Sequence, residues 1–106
     1  MPISRKIMGV SRGRVFTGAL SGTSTIATGT NPRSVCISAD GTSVYAANYS
    51  SNTVSIFTRN TSTGALTAAG TIATGTNPFP VCISADGTSV YAANAGANTV
   101  SIFTRS

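Results

Sequence analysis

The sequence predicts an all-β fold made of two copies of one four-stranded antiparallel unit, and three observations predict it. The chain aligns on itself at an offset of 46, where residues 17–60 match residues 63–106 at 34 of 44 positions without an insertion. Ser, Thr, Gly and Asn crowd between short apolar runs, which favours strands and tight turns over helices. Only 8% of the residues are charged, so hydroxyls and amides must cover the surface.

Each repeat contains four strand-forming runs that are separated by turn signals. In the first repeat the runs are SVCISA (34–39), SVYAAN (43–48), TVSIFTR (53–59) and ALTAAGTIAT (65–74). Asp40-Gly41 supplies the positive φ angles of a tight hairpin between the first two runs. The other turns are NYSSN, NTSTG and GTNP. The four runs should therefore form an antiparallel meander.

The period decides how such meanders pack on each other. About 46 residues holding four strands is typical of a β-propeller blade, which packs its face on the next blade around a central axis. In the first run, Val35, Ile37 and Ala39 point to one side of the strand, and Cys36 and Ser38 point to the other. Neither side carries a charge. We therefore expect an inner blade strand that is buried between neighbouring blades.

The order of the strands is offset relative to the blades. From Thr17 onward the chain reads as a fourth strand (19–28), then strands one to four, then strands one to three. The fold class is therefore two four-stranded antiparallel β-propeller blades in offset strand phase. We expect the N-terminal strand to complete the three-stranded blade of a neighbouring chain, in a cyclic homo-oligomer of three or four chains. The alternative is a fragment whose remaining blades belong to a longer chain.

The basic character of the chain is confined to an N-terminal arm, residues 1–16. This arm contains Arg5, Lys6, Arg12 and Arg14, whereas residues 17–106 hold three Arg against two Asp, a net charge of +1. We expect an irregular, poorly ordered arm, with contact to a phosphate or an anionic surface as the alternative. The repeat unit follows at 17–106, divided into 17–62 and 63–106. Nucleic-acid binding by the whole domain is not predicted.

No targeting signal is recognisable in the sequence. Arg12 and Arg14 interrupt the apolar residues of the arm before they reach the length of a secretory signal core. No apolar run approaches the length of a membrane span. The cellular compartment is therefore left unassigned.

The repeat also resembles a known family. The string NPxxVxISADGTSVYAANxxxNTVSIFTRNxxTGAL resembles the blade repeat of the lactonase-like β-propellers, also known for YVTN-type repeats. Its elements stand at Asp40-Gly41 and at 44–48, 52–57 and 63–66, and the resemblance covers residues 17–106. It implies a ring of about seven blades. It also implies either a 6-phosphogluconolactonase-like enzyme or a secreted or surface protein without assigned chemistry.

Few side chains of the sequence could carry catalysis. It contains no His and no Glu, and its two carboxylates, Asp40 and Asp86, both lie in Asp-Gly turns. We interpret them as turn formers, with general acid/base roles as the alternative. Cys36 and Cys82 occupy equivalent positions, so we expect small apolar fillers with parallel side chains. A disulfide, a metal site or a redox pair is the alternative. The sequence predicts no catalytic residue, no cofactor and no metal site.

The differences between the repeats indicate a candidate binding face. Two groups of them fall in the loops between strands four and one and between strands two and three, which emerge on the same side of a meander. Because binding residues usually lie in such loops, Arg33, Tyr49 and Phe79 are candidate contacts to a ligand or partner. Drift at exposed positions is the alternative.

The sequence thus predicts a non-catalytic binding or structural scaffold, with a protein or a glycan as its ligand. The alternative is a lactone hydrolase whose site forms only in a complete ring.

Overall fold

The computed structural model describes residues 16–22 and 24–106, and all regular structure in them is β. The seven strands are β1 (Pro32–Ile37), β2 (Ser43–Asn48), β3 (Thr53–Arg59), β4 (Leu66–Ala73), β5 (Pro78–Ile83), β6 (Ser89–Asn94) and β7 (Thr99–Thr104). No helix that could cross a membrane is found in these residues. The arm predicted for 1–16 lies, apart from Phe16, outside the described residues.

The strands form two antiparallel sheets in sequence order. The sheet β1-β2-β3-β4 is called blade 1, and the sheet β5-β6-β7 is called blade 2. The two blades share one register, since Cys36 pairs with Tyr45 in blade 1 and Cys82 pairs with Tyr91 in blade 2. The predicted antiparallel meander and its repetition are therefore confirmed.

Asparagine and glycine set the turns between these strands. Gly41 and Gly87, each in an Asp-Gly turn, have a φ of +76°. Four asparagines also adopt positive φ angles of 56–59°, namely Asn31, Asn52, Asn77 and Asn98. Asn tolerates this left-handed region better than most residues other than glycine. The turn positions read from the sequence therefore have a local conformational cause.

The fourth strand is present in blade 1 and contains a bulge. β4 pairs with β3 from Leu66 opposite Arg59 to Ala73 opposite Thr53, with a register shift between Ile56 and Phe57. The shift lies beside Gly70, whose φ is +121°. Only glycine adopts such an angle readily, so this residue permits the bulge.

The offset fourth strand at 19–28 is not paired within the chain. Its described residues, 19–22 and 24–28, lie outside any strand. Ile26 instead lines a concavity with Val44 and Phe57 of blade 1. These side chains belong to the face of blade 1 that is turned away from blade 2, so Ile26 lies on that side of blade 1. Pairing with another chain stays a prediction.

The core lies between the two blades, where β1 and β2 pack against β5. Blade 1 contributes Cys36, Tyr45, Ala47, Val54 and Ile56, and blade 2 contributes Val81, Ile83, Val90, Ala92 and Phe103. A second cluster covers the opposite face of blade 1 and joins Val44, Ala46 and Phe57 to Leu66. Burial of these apolar side chains supplies the main driving force for holding the blades together.

One burial prediction for the first strand is wrong within this chain. Val35 and Ile37 were expected between blades, yet they are 69% and 53% exposed. Val81, the equivalent of Val35, is only 4% exposed because blade 1 covers it. The difference arises because no described part of the chain packs a further blade on this side of blade 1.

Candidate functional site

The loops that precede the first strand of each blade and those that join its second and third strands lie together at one end of the blades, called the loop face. It comprises 29–31 and 49–52 of blade 1 and 74–77 and 95–98 of blade 2. Backbone hydrogen bonds tie these loops together within each blade, from Tyr49 N to Asn31 O (2.9 Å) and from Ala95 N to Asn77 O (3.0 Å). The side chain of Asn52 accepts a hydrogen bond from Asn77 N (2.9 Å) and so links the two blades. The prediction that these loops share one side is confirmed, but Arg33 and Phe79, which were predicted to lie in them, stand on β1 and β5 instead.

Buried amides hold the loop face in place. Asn48 Nδ2 donates to Thr53 Oγ1 (3.1 Å) and Ser55 Oγ (2.8 Å). Asn94 makes the equivalent bonds at 3.1 and 2.9 Å. A Cβ at Gly29 would lie 2.7 Å from Asn48 Nδ2, so glycine lets the loop approach the amide. This role was not predicted, although Asn ends the second strand of both repeats.

The structure brings Arg33 and Tyr49 together. Arg33 lies on β1, and its guanidinium carbon stands 3.9 Å from the centroid of the Tyr49 ring, which is a cation–π contact. Arg33 is exposed and Tyr49 is half-buried, so the stacked guanidinium keeps an edge open to solvent. Arg33 also borders a concavity of about 340 Å³ with Ile26 and Phe57. The pair can therefore offer charge and planar hydrogen-bond donors beside an apolar surface.

Phe79 is the equivalent of Arg33 in blade 2 and has a different setting. It is 44% exposed and lines a shallow depression of about 310 Å³ with Ala95, Asn98 and Val100. Ala95 stands where blade 1 has Tyr49, and none of the residues that line this depression is charged. Phe79 therefore lies in a separate depression from the Arg33–Tyr49 pair.

The opposite end of the blades, called the turn face, comprises the two Asp-Gly turns at 38–43 and 84–89. It contains both carboxylates. Asp40 Oδ1 accepts hydrogen bonds from Ser38 Oγ (2.6 Å), Thr42 N (3.0 Å) and Thr42 Oγ1 (2.7 Å). These bonds, the one from Ser38 foremost, hold the pKa of Asp40 well below its usual range. The interpretation of this residue as a turn former is confirmed.

Asp86 repeats this turn in blade 2. It accepts hydrogen bonds from Ser84 Oγ (2.7 Å), Thr88 N (3.1 Å) and Thr88 Oγ1 (2.8 Å). The Ser84 bond and the two Thr88 bonds lower the pKa of Asp86 to about 2. Both carboxylates are thus anionic and occupied by their own turns at neutral pH.

An arginine that was not predicted as a site residue joins the blades at the turn face. Arg105 Nη1 donates to Gly87 O (2.9 Å) in its own blade. Its Nη2 reaches blade 1, where it lies 3.2 Å from both carboxylate oxygens of Asp40, 2.9 Å from Thr42 Oγ1 and 3.1 Å from Ser43 Oγ. Arg59, the equivalent residue, donates to Gly41 O (3.1 Å). The sequence feature that could have indicated this role is the triplet FTR, which occurs at 57–59 and again at 103–105.

The two cysteines have different settings, and only Cys36 packs against the core between the blades. Both are free; Cys36 is half-buried and Cys82 is exposed. Burial, with a smaller contribution from the neighbouring Cys82 thiol, raises the pKa of Cys36. A raised pKa keeps the thiol protonated and unreactive. Among the described residues, no group of three or more His, Cys, Asp or Glu side chains could hold a metal ion.

Comparison with known proteins supports the architecture. A family model described as "Lactonase, 7-bladed beta-propeller" matches residues 14–83, more than half of the chain. A structure from Bacteroides fragilis, provisionally named a 6-phosphogluconolactonase, superposes with a TM-score of 0.81 at 30% identity, covering 88% of this chain and 28% of that chain. A protein of the same provisional name from Bacteroides uniformis gives 0.65 at 29% identity, covering 68% and 21%.

A functionally unknown protein from Desulfotomaculum acetoxidans gives a TM-score of 0.71 at 26% identity, covering 81% of this chain and 26% of that chain. A search of curated proteins gave no match. The chain spans only about a quarter of the length of these solved structures.

Proposed function

Because the chain belongs to the lactonase family of seven-bladed β-propellers, we propose that it is a non-catalytic propeller module that serves as a binding scaffold. Its partners in this role are further blades, supplied by copies of itself or by the rest of a longer chain. The loop face is its binding surface, and its ligand is a protein or a glycan.

The observation that carries this proposal is the Arg33–Tyr49 pair. The two repeats are nearly identical, yet their differences include these two residues, and the guanidinium and the ring stack on each other at 3.9 Å. A planar cation held on an aromatic ring is suited to hydroxyl-rich or anionic ligands, since it offers several hydrogen-bond donors in a fixed plane. The rigid blades beneath it keep its position defined.

The carboxylates support the absence of catalysis by this chain. Asp40 and Asp86 are held ionised by turn hydroxyls and amides, and their pKa values lie below the usual range. A general base works best with a pKa near the working pH. Both side chains are therefore poorly matched to proton transfer at neutral pH.

The alternative is a lactone hydrolase whose site forms only in the complete ring. Two similar structures carry the provisional name 6-phosphogluconolactonase. An exposed guanidinium such as that of Arg33 could hold the phosphate of such a substrate. In this alternative, the proton-transfer groups would come from other blades.

Hydrolysis of lactones separates the two functions. The purified chain is incubated with glucono-1,5-lactone and 6-phosphogluconolactone, with and without divalent metal ions, and acid release is compared with the spontaneous rate. We expect no rate above that background. Saturable turnover that Arg33→Ala abolishes and Thr61→Ala retains would establish the hydrolase instead.

Binding at the loop face is tested on an array of neutral oligosaccharides and sugar phosphates. We expect retention of the wild-type chain on some of them, and Arg33→Ala or Tyr49→Ala should weaken it at least about tenfold. Thr61→Ala, at the opposite end of blade 1, is the matched control and should bind like the wild type. Equal retention of all these variants would place the binding surface elsewhere and contradict the proposal.

A further inference from the structure

The contact between the two blades has two different sides, and each side occurs twice in the chain. Blade 1 presents to blade 2 the set Cys36, Tyr45, Ala47, Val54 and Ile56. At the offset of 46, blade 2 carries the same five amino acids as Cys82, Tyr91, Ala93, Val100 and Ile102. This second set is uncovered, since Val100 is 56% and Ile102 is 74% exposed.

The other side of the contact is duplicated in the same way. Blade 2 presents to blade 1 the set Val81, Ile83, Val90, Ala92 and Phe103. Blade 1 carries the same five amino acids as Val35, Ile37, Val44, Ala46 and Phe57 on its face turned away from blade 2. The open face of blade 2 and this face of blade 1 therefore have the composition of the two sides of a packed interface that the chain already makes.

The segment before β1 occupies the place of an outer strand. Within the chain, Ile72 of β4 borders a cleft of about 260 Å³ beside Val90 and Phe103. At the offset of 46, Ile26 corresponds to Ile72, and Val44 and Phe57 correspond to Val90 and Phe103. Ile26, Val44 and Phe57 line the concavity of about 340 Å³ on blade 1. The segment thus lies relative to blade 1 as β4 lies relative to blade 2, but without a sheet to join.

Blade 2 offers the matching sheet edge. In blade 1, β4 pairs with β3 over Thr53–Arg59. In blade 2 no described strand pairs with β7 on that edge. Residues 19–28 carry much of the β4 sequence, including AL at 19–20 and TIAT at 25–28. Transfer of the β4 register would set Leu20 opposite Arg105 and Ile26 opposite Val100.

The residues of the ion pair between the blades are duplicated as well. Arg105 joins Asp40 across the internal contact. Arg59 is the equivalent of Arg105, and it donates to Gly41 O but to no carboxylate among the described residues. Asp86 is the equivalent of Asp40, and its described hydrogen bonds come from Ser84 and Thr88 alone. Arg59 and Asp86, neither of which forms an ion pair among the described residues, therefore flank these two faces. On the blade 1 face Val35 and Ile37 are exposed, whereas Val44, Ala46 and Phe57 are already buried.

One polar contact is not duplicated. Ser34 Oγ accepts a hydrogen bond from Val81 N (3.2 Å) between the blades, and Pro80 stands at the equivalent position of blade 2. A contact between copies would therefore lack this hydrogen bond while keeping the apolar sets, the strand pairing and the ion pair.

From these correspondences we infer that copies of this chain associate head to tail. Blade 2 of one copy packs on blade 1 of the next, takes residues 20–27 of that copy as its fourth strand, and pairs its Asp86 with Arg59 of that copy. The contact is heterologous, so its repetition gives a closed ring where the rotation between copies is a whole fraction of a turn. We expect three or four copies in this ring. This inference rests on the proposed role as a propeller module and identifies its partner as a second copy.

Charge reversal tests the contact in solution. By sedimentation, the 106-residue chain should have three or four times the 10.6 kDa mass of one copy. Arg59→Asp and Asp86→Arg each oppose like charges between copies, and each should raise the dissociation constant at least about tenfold. An equal mixture of the two variants should restore assembly, because alternating copies of four bring opposite charges together at every contact. In a ring of three, one repulsive contact would remain.

The internal ion pair supplies the matched control. Arg105→Asp and Asp40→Arg also oppose like charges, but both partners belong to one chain, so mixing these two variants cannot rescue either. Restoration by mixing for the first pair of variants and none for the second would identify Arg59–Asp86 as the pair between copies. Restored mass also shows that the reversed variants fold.

Three results would overturn the inference: a folded monomer at all concentrations, an aggregate without a defined mass, or an oligomer whose mass the reversals do not change. A folded monomer would leave the scaffold proposal standing, because lactone hydrolysis and loop-face binding are measured separately. Conversely, a ring that hydrolyses lactones would overturn the scaffold proposal and support the head-to-tail contact.

Discussion

Blade 1 and blade 2 have nearly the same sequence but bury different residues. Val54 is 1% exposed in blade 1, and its equivalent Val100 is 56% exposed in blade 2. The reverse holds on the other face, where Val81 is 4% exposed and Val35 is 69% exposed. Burial in this molecule is therefore decided by which neighbour a face has. The repeat encodes an interface with two complementary sides, and each blade of this chain uses one of them.

The largest difference in stability between equivalent substitutions is expected for Val54 and Val100. Val54→Ala removes two methyl groups from the contact between the blades and should lower the free energy of unfolding by about 2 kcal/mol. Val100→Ala should lower it by less than about 0.5 kcal/mol in a single chain. Urea denaturation of both variants checks this at concentrations low enough to prevent association.

The cost of Val100→Ala should depend on the protein concentration. If copies associate, the cost of Val100→Ala should rise toward that of Val54→Ala as the protein concentration increases, because the contact between copies then buries Val100. Equal costs for both variants in dilute solution would contradict the assignment of the buried face.

A smaller difference is expected between the equivalent arginines. Arg105 has hydrogen-bond partners in both blades, whereas Arg59 has one in its own blade. Arg105→Gln should therefore cost about 1.5 kcal/mol of stability, and Arg59→Gln about half of that, since each net hydrogen bond of a partly exposed group contributes little. Thermal unfolding of the dilute chain measures both. A larger cost for Arg59→Gln would show that the ion pair between blades does not stabilise the chain.

The sequence was sufficient for the features that depend on local chemistry. The strands from Pro32 onward, the Asp-Gly turns and the loops on one side follow from turn residues and from the period, and the structure confirms them. The salt bridge of Arg105 and the exposure of Val35 could not be predicted, because both depend on how whole blades are placed. Tyr49 lies in a loop as predicted, whereas Arg33 stands on β1, and the stacking of the two depends on side-chain orientation.

The two aspartates should differ in how they respond to acid. Their folded pKa values lie below the unfolded value of about 4, so both stabilise the fold above that pH, and the stabilisation is lost as the pH falls through the folded values. Asp40 has the additional partner Arg105 and the lower pKa. Asp40→Asn and Asp86→Asn should therefore both flatten the pH dependence of unfolding between about pH 4 and about pH 2, and below about pH 2 the effect of Asp40→Asn should be the larger. Equal flattening would show that Arg105 adds nothing to the response.

The smallest expected effect concerns the segment before β1. Ser24 is the equivalent of Gly70, whose φ of +121° permits the bulge of β4. If residues 20–27 pair with β7 of another copy in the β4 register, Ser24 is strained at the bulge. Ser24→Gly should then relieve this strain and tighten assembly about threefold, against a cost in chain entropy that glycine adds to the unpaired segment. Ser21→Gly is the matched control, because it adds the same flexibility away from the bulge and should weaken assembly slightly. Weaker assembly of both variants, measured by sedimentation, would mean that the donated strand does not have the register of β4.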